Sequence, residues 1–302
     1  MPENPAPLHW PPPVLPGMAV AVAAPASPVD PPLLAAGVEI LSAAGYRVQV
    51  GEEVTQPRPW GREADLARAR RLEKAWLAPD VRAVIGARGG YGSGKILPHL
   101  DLASLRARPV RLVGFSDLTA LLLFVGQKLG LTVFHGPTLS QLPLVSPQAR
   151  EDLWRWLAAP GPEPRTFSGL TVLHPGTAAG PLWGGNLTTL CHLVGTPFMP
   201  SLAGALLFLE DHNEAPYRLD RLLHHLLWAG ALHGVAGVVL GAFTGTQAEP
   251  GEVLEVLAQA LMPLKVPVLA GLPVGHQPDN FTLPLGAAAV LDSRTASLRL
   301  IG

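Results

Sequence analysis

In the first half of the chain, short apolar segments alternate four times with segments of helical periodicity. The first cycle has an apolar run at 18–24, an amphipathic pattern at 31–44 and an alternating pattern at 46–50. Apolar runs at 81–87 and 110–113 continue the series. This β-α-β order predicts an α/β fold with a mostly parallel sheet, because parallel neighbours need a crossover connection.

The pattern changes after residue 150, where one amphipathic helix is followed by the Pro/Gly-rich stretch AAPGPEP. We therefore predict a Pro-rich tail at 1–16, an α/β domain at 17–150, a linker at 151–175 and a second domain at 176–302. The second domain mixes helices with short apolar strands and is expected to be smaller, with antiparallel strands towards its end.

The charge balance argues against two classes of partner. The chain has 22 Lys+Arg and 23 Asp+Glu, a formal net charge of −1. Binding to nucleic acid or to an anionic membrane surface needs clustered basic residues, so we expect neither. The single cysteine, Cys191, excludes an internal disulfide and lies in an apolar run, so we predict a buried, inert thiol rather than a nucleophile.

Two apolar stretches resemble targeting or membrane segments. The run 18–26 lacks the preceding basic residues of a secretory signal, since the first Arg or Lys of the chain is Arg47. The stretch 226–245 has twenty residues without a full charge, but its glycines and His233 favour a helix followed by a buried strand. We therefore expect a cytoplasmic protein with a loose N-terminal tail.

A glycine-rich loop at 88–95 follows an apolar strand. Gly89 and the pair Gly94-Lys95 have the spacing of a phosphate-binding loop, but Ile96 stands where a magnesium-binding hydroxyl is needed. Such a loop can instead present bare backbone N–H groups to a developing oxyanion. This second use requires a nucleophile nearby.

Gly114-Phe-Ser-Asp117 has a serine where a strand turns into a helix. There the helix N-terminus adds positive potential, and the N–H of the next residue can point at the same oxygen. The alternative is that Ser116 or Asp117 only caps the helix.

A serine nucleophile needs a base and an acid that orients the base. None of the ten histidines forms a His-Glu-x-x-His pair, so no metal site is predicted. His276 lies in a polar turn after an apolar segment, and Glu210-Asp211 end an apolar strand. The alternatives are a surface turn histidine and a carboxylate pair that caps the following turn.

Seven motifs, in this order and spacing, resemble those of the LD-carboxypeptidase (muramoyl-tetrapeptide carboxypeptidase) family of serine peptidases, which also includes microcin C immunity-type hydrolases. They are Arg88-Gly-Gly-Tyr-Gly, Gly114-Phe-Ser-Asp, His135-Gly-Pro, Gly184-Gly-Asn-Leu187, Leu209-Glu-Asp211, Tyr217-Arg-Leu-Asp-Arg221 and Gly275-His276. The resemblance runs from about Met18 to the C-terminus.

The resemblance implies a Rossmann-like N-terminal domain, a β-rich, barrel-like C-terminal domain, a cleft between them and a homodimer. It assigns Ser116 as nucleophile, Glu210 as triad acid and His276 as base. It assigns the backbone N–H groups of Gly90 and Asp117 as oxyanion donors. It implies no metal or cofactor.

The implied substrate is a small peptide, a murein tetrapeptide that loses terminal D-Ala from the L-centre of a diamino acid during cytoplasmic peptidoglycan recycling. Arg88, Lys95 and Arg218 are candidates for binding its terminal carboxylate. One alternative is a microcin C immunity-type hydrolase of aminoacyl or peptidyl nucleotide analogues, with Trp183 stacked on the base or else in the core. Another is a non-catalytic peptide or muropeptide binder. The candidate substrate-binding residues are Arg88, Gly89, Tyr91, Trp183 and Asn186.

Overall fold

The structure, a computed structural model, describes residues 8–57 and 59–302. The helices in these residues are α1 (Pro31–Ala43), α2 (Arg62–Leu77), α3 (Leu102–Ala107), α4 (Thr119–Leu129), α5 (Pro147–Ala158), α6 (Leu187–Cys191), α7 (Pro216–Trp228) and α8 (Pro250–Leu261). The strands are β1 (Ala19–Ala23), β2 (Arg47–Val50), β3 (Val81–Gly86), β4 (Arg111–Gly114), β5 (Val133–His135), β6 (Arg165–Ser168), β7 (Thr171–His174), β8 (Thr177–Asn186), β9 (Leu206–His212), β10 (Gly237–Thr244), β11 (Val268–Ala270), β12 (Leu283–Leu285), β13 (Ala288–Asp292) and β14 (Ser297–Leu300).

The first sheet has the strand order β12-β5-β4-β3-β1-β2. Its strands β1 to β5 are parallel to one another, which confirms the predicted mostly parallel sheet. The edge strand β12 pairs antiparallel with β5 and comes from near the end of the chain. Its three residues are too few to show strand periodicity in the sequence.

The second sheet is mixed, with the order β6-β14-β13-β8-β9-β10-β11-β7. Strands β8 to β11 are parallel, and the other pairs are antiparallel. Its two edge strands, β6 and β7, are consecutive in the chain and are joined only by Gly169 and Leu170. A two-residue connection requires the sheet to curl until its edges approach each other, which confirms the predicted β-rich, barrel-like half.

The structured part of the predicted linker is larger than its composition indicates. Most of α5 and both β6 and β7 lie within residues 151–175. The next strand, β8, was not predicted, because its Gly-Pro-Leu-Trp-Gly-Gly sequence has the residues that usually end strands. The division into domains stays a prediction.

The Pro-rich N-terminal segment is not loose where the structure describes it. The guanidinium of Arg111, which is fully buried, donates hydrogen bonds to the carbonyl oxygens of Pro11 and Pro12 at 3.0 and 2.8 Å. The Trp10 ring meets Phe134 edge-on at 5.6 Å, and Val14 is buried. Residues 8–16 therefore pack on the first sheet, whereas residues 1–7 of the predicted tail lie outside the described residues.

The apolar stretch 226–245 contains the end of α7 and the strand β10, as the sequence predicts. Across residues 8–57 and 59–302, the structure has no helix with both the length and the apolar character needed to cross a membrane.

Candidate active site

Three side chains predicted from the sequence form one hydrogen-bonded chain. Ser116 follows β4, Glu210 lies in β9 and His276 follows β11. His276 Nε2 lies 3.1 Å from Ser116 Oγ, and His276 Nδ1 lies 2.7 Å from Glu210 Oε2. Glu210 is fully buried. A hydroxyl, an imidazole and a carboxylate in this order have the geometry of a nucleophile with its base and orienting acid.

Ser116 has a left-handed backbone, with φ of 60°. A residue other than glycine costs about 1–3 kcal/mol in such a conformation, and strain of this kind concentrates at functional sites. The turn directs the side chain towards the loop after β3, where a Cβ added at Gly89 would lie 2.9 Å from Ser116 Cβ. Only glycine lets this loop pass so close to the hydroxyl.

The loop continues through Gly90, whose φ is 97°. A Cβ at Gly90 would lie 2.4 Å from Ser27 Oγ, so both its conformation and its surroundings require glycine. The loop backbone thus runs beside the nucleophile turn that contains Asp117. Oxyanion donation by the N–H groups of Gly90 and Asp117 stays a prediction.

A second histidine, His212, supports the imidazole of His276. The two rings stack with centroids 4.8 Å apart and an angle of 8°. His212 Nδ1 lies 2.8 Å from Thr244 Oγ1, and this hydroxyl donates to the His276 carbonyl oxygen at 2.9 Å. Because the hydroxyl has one hydrogen, His212 Nδ1 must be the donor in its own bond. Burial and then the neighbouring His276 lower the pKa of His212, which favours the neutral ring.

The sequence contains a signal for His212 that was missed. It lies two residues after Glu210 in β9, and alternate residues of a strand share a face. Asp211, between them, has a different function. Its carboxylate accepts hydrogen bonds from Asn186 Nδ2 at 3.1 Å and from the N–H of Thr188 at 2.9 Å. The predicted carboxylate pair therefore divides into one partner for His276 and one that holds the start of α6.

A cavity of about 610 Å³ opens in front of Ser116 and His276. Four of the five candidate substrate-binding residues line it: Arg88, Gly89, Tyr91 and Asn186. The fifth, Trp183, does not. It is 5% exposed, and a Cβ on Gly126 of α4 would lie 2.9 Å from its ring. Trp183 therefore belongs to the core, and the interpretation that it stacks on a bound base is wrong.

The three cations considered for the terminal carboxylate are in different environments. Lys95 Nζ pairs with Asp65 at 2.9 Å. Arg218 lies 3.6 Å from Glu214 and does not line the cavity. Arg88 is exposed on the cavity wall. Of the three, Arg88 is placed to meet an anionic group of a ligand beside Ser116.

Cys191 is buried, as predicted, and burial followed by the charge of Asp211 raises its pKa to about 11. The thiol is therefore protonated near neutral pH. In the part of the chain that the structure describes, no group of three or more His, Cys, Asp or Glu side chains could hold a metal ion.

His135 ends β5 directly behind the site. It is fully buried, its ring meets Phe208 edge-on at 4.9 Å, and neither ring nitrogen has a hydrogen-bond partner among the described residues. Burial, and then the charge that His276 can carry, lower the pKa of His135 to about 3. The folded protein therefore keeps this ring neutral at a pH where the unfolded chain protonates it.

This difference predicts a loss of stability in acid. Between pH of about 6.5 and 3 the unfolded state binds one more proton at His135, so the free energy of unfolding falls as the pH falls. In His135→Leu this contribution is absent. Between pH 5.5 and 4.5 the wild-type value should fall by about 1.4 kcal/mol more than that of the variant. Urea unfolding of both proteins at both pH values measures this difference. An equal fall in the free energy of unfolding for the wild type and the variant would contradict the prediction.

Comparison with known proteins gives a consistent result. Residues 20–136 match the family model of the LD-carboxypeptidase N-terminal domain, and residues 179–291 match that of the LD-carboxypeptidase C-terminal domain. A putative carboxypeptidase of Streptomyces coelicolor is 40% identical over 94% of both chains.

Two solved structures share the fold. The muramoyltetrapeptide carboxypeptidase of Oxalobacter formigenes is 31% identical, with a TM-score of 0.81 over 93% of this chain and 97% of that one. The microcin C7 self-immunity protein in complex with aspartyl sulfamoyl adenosine has a TM-score of 0.87 over 97% of this chain and 98% of that one. Its 24% identity shows a likeness of fold alone.

Proposed function

This chain belongs to the LD-carboxypeptidase family, so it is a serine carboxypeptidase-like hydrolase, and we propose that it removes terminal D-Ala from murein tetrapeptides. The bond cleaved is the amide between the L-centre of a diamino acid and D-Ala. The observation that supports this proposal most strongly is the hydrogen-bonded chain Ser116–His276–Glu210 at the wall of the cavity.

The proposed reaction begins with attack of Ser116 Oγ on the carbonyl carbon. His276 Nε2 takes the hydroxyl proton, and Glu210 accepts the Nδ1–H bond, so it holds the required tautomer and stabilises the imidazolium. The N–H groups of Gly90 and Asp117 receive the oxyanion. His276 then protonates the leaving amine of D-Ala, and a water activated by the same ring hydrolyses the acyl-enzyme.

Arg88 supports selection for a free C-terminus, since a guanidinium can bind a carboxylate with two parallel hydrogen bonds. Gly89 keeps the approach to Ser116 open, while Tyr91 and Asn186 lie on the same cavity. We assign these four residues to substrate binding. The family resemblance further supports a cytoplasmic homodimer that acts in peptidoglycan recycling.

Arg88→Gln is expected to raise KM for the tetrapeptide by about 10- to 100-fold with little change in kcat, because a hydrogen bond to a charged group contributes about 1.5–3 kcal/mol. A substrate whose terminal carboxylate is an amide supplies the control. It should be poor for the wild type and no poorer for the variant. An equal loss on both substrates would show that Arg88 does not bind this carboxylate.

A second candidate is hydrolysis of aminoacyl nucleotide analogues, the alternative that the family resemblance leaves open. The buried position of Trp183 is an argument against this candidate, because no stacking surface is available from that residue. A non-catalytic muropeptide binder would have no need for a strained serine bonded to a histidine.

Mass spectrometry of the products tests these functions together. The protein is incubated separately with a murein tetrapeptide and with an aminoacyl-sulfamoyl adenosine. We expect release of D-Ala from the first at a rate well above that for the second. Cleavage of the nucleotide analogue alone would favour the second candidate, and cleavage of neither would favour the binder.

A further inference from the structure

The side chain of Asp117 does not cap the helix that it begins. The 3₁₀ turn at Ser116–Leu118 and the following α4 both lack a side-chain capping bond. Instead, Asp117 Oδ1 accepts the N–H of Gly92 at 3.0 Å, and Oδ2 accepts the N–H of Ser93 at 2.8 Å. The carboxylate therefore binds the loop after β3.

The same connection is made in the opposite direction. The Ser93 hydroxyl donates a short hydrogen bond to the Asp117 carbonyl oxygen, and Ser93 is fully buried. Three hydrogen bonds thus join two adjacent loop residues to the residue next to the nucleophile. The loop and the nucleophile turn are therefore bonded to each other through both the side chain and the backbone of Asp117.

The loop is also held from its other sides. Ser27 Oγ accepts the N–H of Tyr91 at 3.1 Å, and the N–H of Ser27 donates to the Gly89 carbonyl oxygen at 3.1 Å. The guanidinium of Arg68 donates to the Gly92 carbonyl oxygen at 3.0 Å. The proposed oxyanion donor Gly90 lies between these fixed points.

Charge alone gives no reason for an acid at this position. A carboxylate beside a developing oxyanion repels it, and this repulsion opposes catalysis. Any benefit of this carboxylate to catalysis must therefore come from the geometry that it imposes. An oxyanion hole works because its donors are already aligned, so that no reorganisation is needed during the reaction. Asp117 provides one donor through its own N–H and, through its carboxylate, fixes the loop that carries the other.

We propose that Asp117 is a positioning residue. Its carboxylate holds the loop after β3, which carries Gly90, in a fixed position relative to the Ser116 turn, so that both oxyanion donors point at the same place. This inference rests on the proposed function. It predicts that removal of a nearby negative charge lowers the rate, which is the opposite of what electrostatic repulsion alone would give.

The test compares Asp117→Asn with a matched control, Asp101→Asn. Asp101 also accepts two backbone N–H bonds, from Ala103 and Ser104, but at the exposed start of α3. For Asp117→Asn we expect kcat to fall by about 10- to 100-fold, somewhat less than for complete loss of an oxyanion donor, with KM within about threefold of wild type. Asp101→Asn should keep the wild-type kcat.

Affinities for two ligands distinguish a loss of oxyanion-donor positioning from general damage to the binding site. A tetrapeptide analogue with a phosphonate in place of the scissile amide mimics the tetrahedral oxyanion. Asp117→Asn should bind it about 10- to 100-fold more weakly than wild type. In a Ser116→Ala background, the same change should leave the affinity for the intact tetrapeptide unaltered.

A second variant, Ser93→Ala, keeps the Asp117 carboxylate but removes the hydrogen bond from the Ser93 hydroxyl to the Asp117 carbonyl oxygen. It should lower kcat about threefold to tenfold.

The inference is overturned if Asp117→Asn has a wild-type or higher kcat, or if affinities for phosphonate and tetrapeptide fall together. Turnover by Ser116→Ala would overturn the proposed function instead, so the two failures are distinguishable.

Discussion

Ser116→Ala is expected to lower kcat for D-Ala release by about 10⁴- to 10⁶-fold, the range of triad knockouts elsewhere. The alanine has no oxygen to form the acyl-enzyme, and His276 loses the hydroxyl that lies 3.1 Å from its Nε2. His276→Ala should lower kcat by about the same factor. The double variant should lose no more kcat than either single variant, because the two residues act as a unit. Steady-state assays with the tetrapeptide measure all three.

Covalent labelling provides the control for this prediction. An activated phosphonate that reacts with nucleophilic serines should add to the wild type at Ser116, seen as a mass increase, and should fail to add to Ser116→Ala. Ser140 lines the same cavity, but its hydroxyl lies 3.3 Å from that of Thr138, and Ser140→Ala should label normally. Near-normal turnover by Ser116→Ala on the tetrapeptide would refute the assignment.

The parallel sheet could be predicted because its first five strands are short apolar or alternating segments that take turns with helical patterns along the chain. The order of elements then determines the fold class, since parallel strands need crossovers. The edge strand β12 could not be predicted in this way. Its pairing with β5 joins residues about 150 positions apart, as in Leu283 with His135, and nothing local in either segment indicates the partner.

The N-terminal segment shows the limit of composition. Seven prolines in its first sixteen residues favour an open chain, yet residues 8–16 pack on the first sheet. Proline has no backbone N–H but keeps its carbonyl oxygen, and Arg111, buried beneath, uses the carbonyl oxygens of Pro11 and Pro12. The buried guanidinium thus needs hydrogen-bond acceptors, and the proline segment supplies them. Composition does not show this match, because the two segments are about 100 residues apart in the chain.

At the site, the motifs predicted which residues meet, and the structure reveals how they are held. Glu210 and Asp211 are chemically alike in the sequence, but only their environments separate the partner of His276 from the residue that holds α6. Burial of Trp183 depends on Gly126 of α4, which is 57 residues away and leaves room for the indole. His212 belongs to no motif. Its spacing from Glu210 in β9 places both on one face of the strand, but its stacking on the His276 ring joins segments that are distant in the chain.

Glu210→Gln tests the orienting acid and is expected to lower kcat by about 10³- to 10⁴-fold, in line with an aspartate-to-asparagine change at the equivalent position of another triad. Glu210 Oε2 accepts the hydrogen on His276 Nδ1 at 2.7 Å, which leaves Nε2 free to take the serine proton. A glutamine amide can direct its NH₂ group at Nδ1, which moves the ring hydrogen to Nε2, and its neutral group no longer stabilises an imidazolium. Both changes act on the reaction more than on binding, so KM should change little.

Asp211→Asn is the matched control for Glu210→Gln, because it makes the same chemical change at the next residue of the same strand. Its carboxylate holds Asn186 and the start of α6 rather than His276, so the expected loss is in thermal stability, with kcat within about tenfold of wild type. Turnover and melting temperature measured on both variants therefore separate orientation of the base from support of the fold. If Glu210→Gln kept a kcat near that of the wild type while Asp211→Asn lost it, Glu210 would no longer be the acid of the triad, because a neutral group at Nδ1 would then suffice for catalysis.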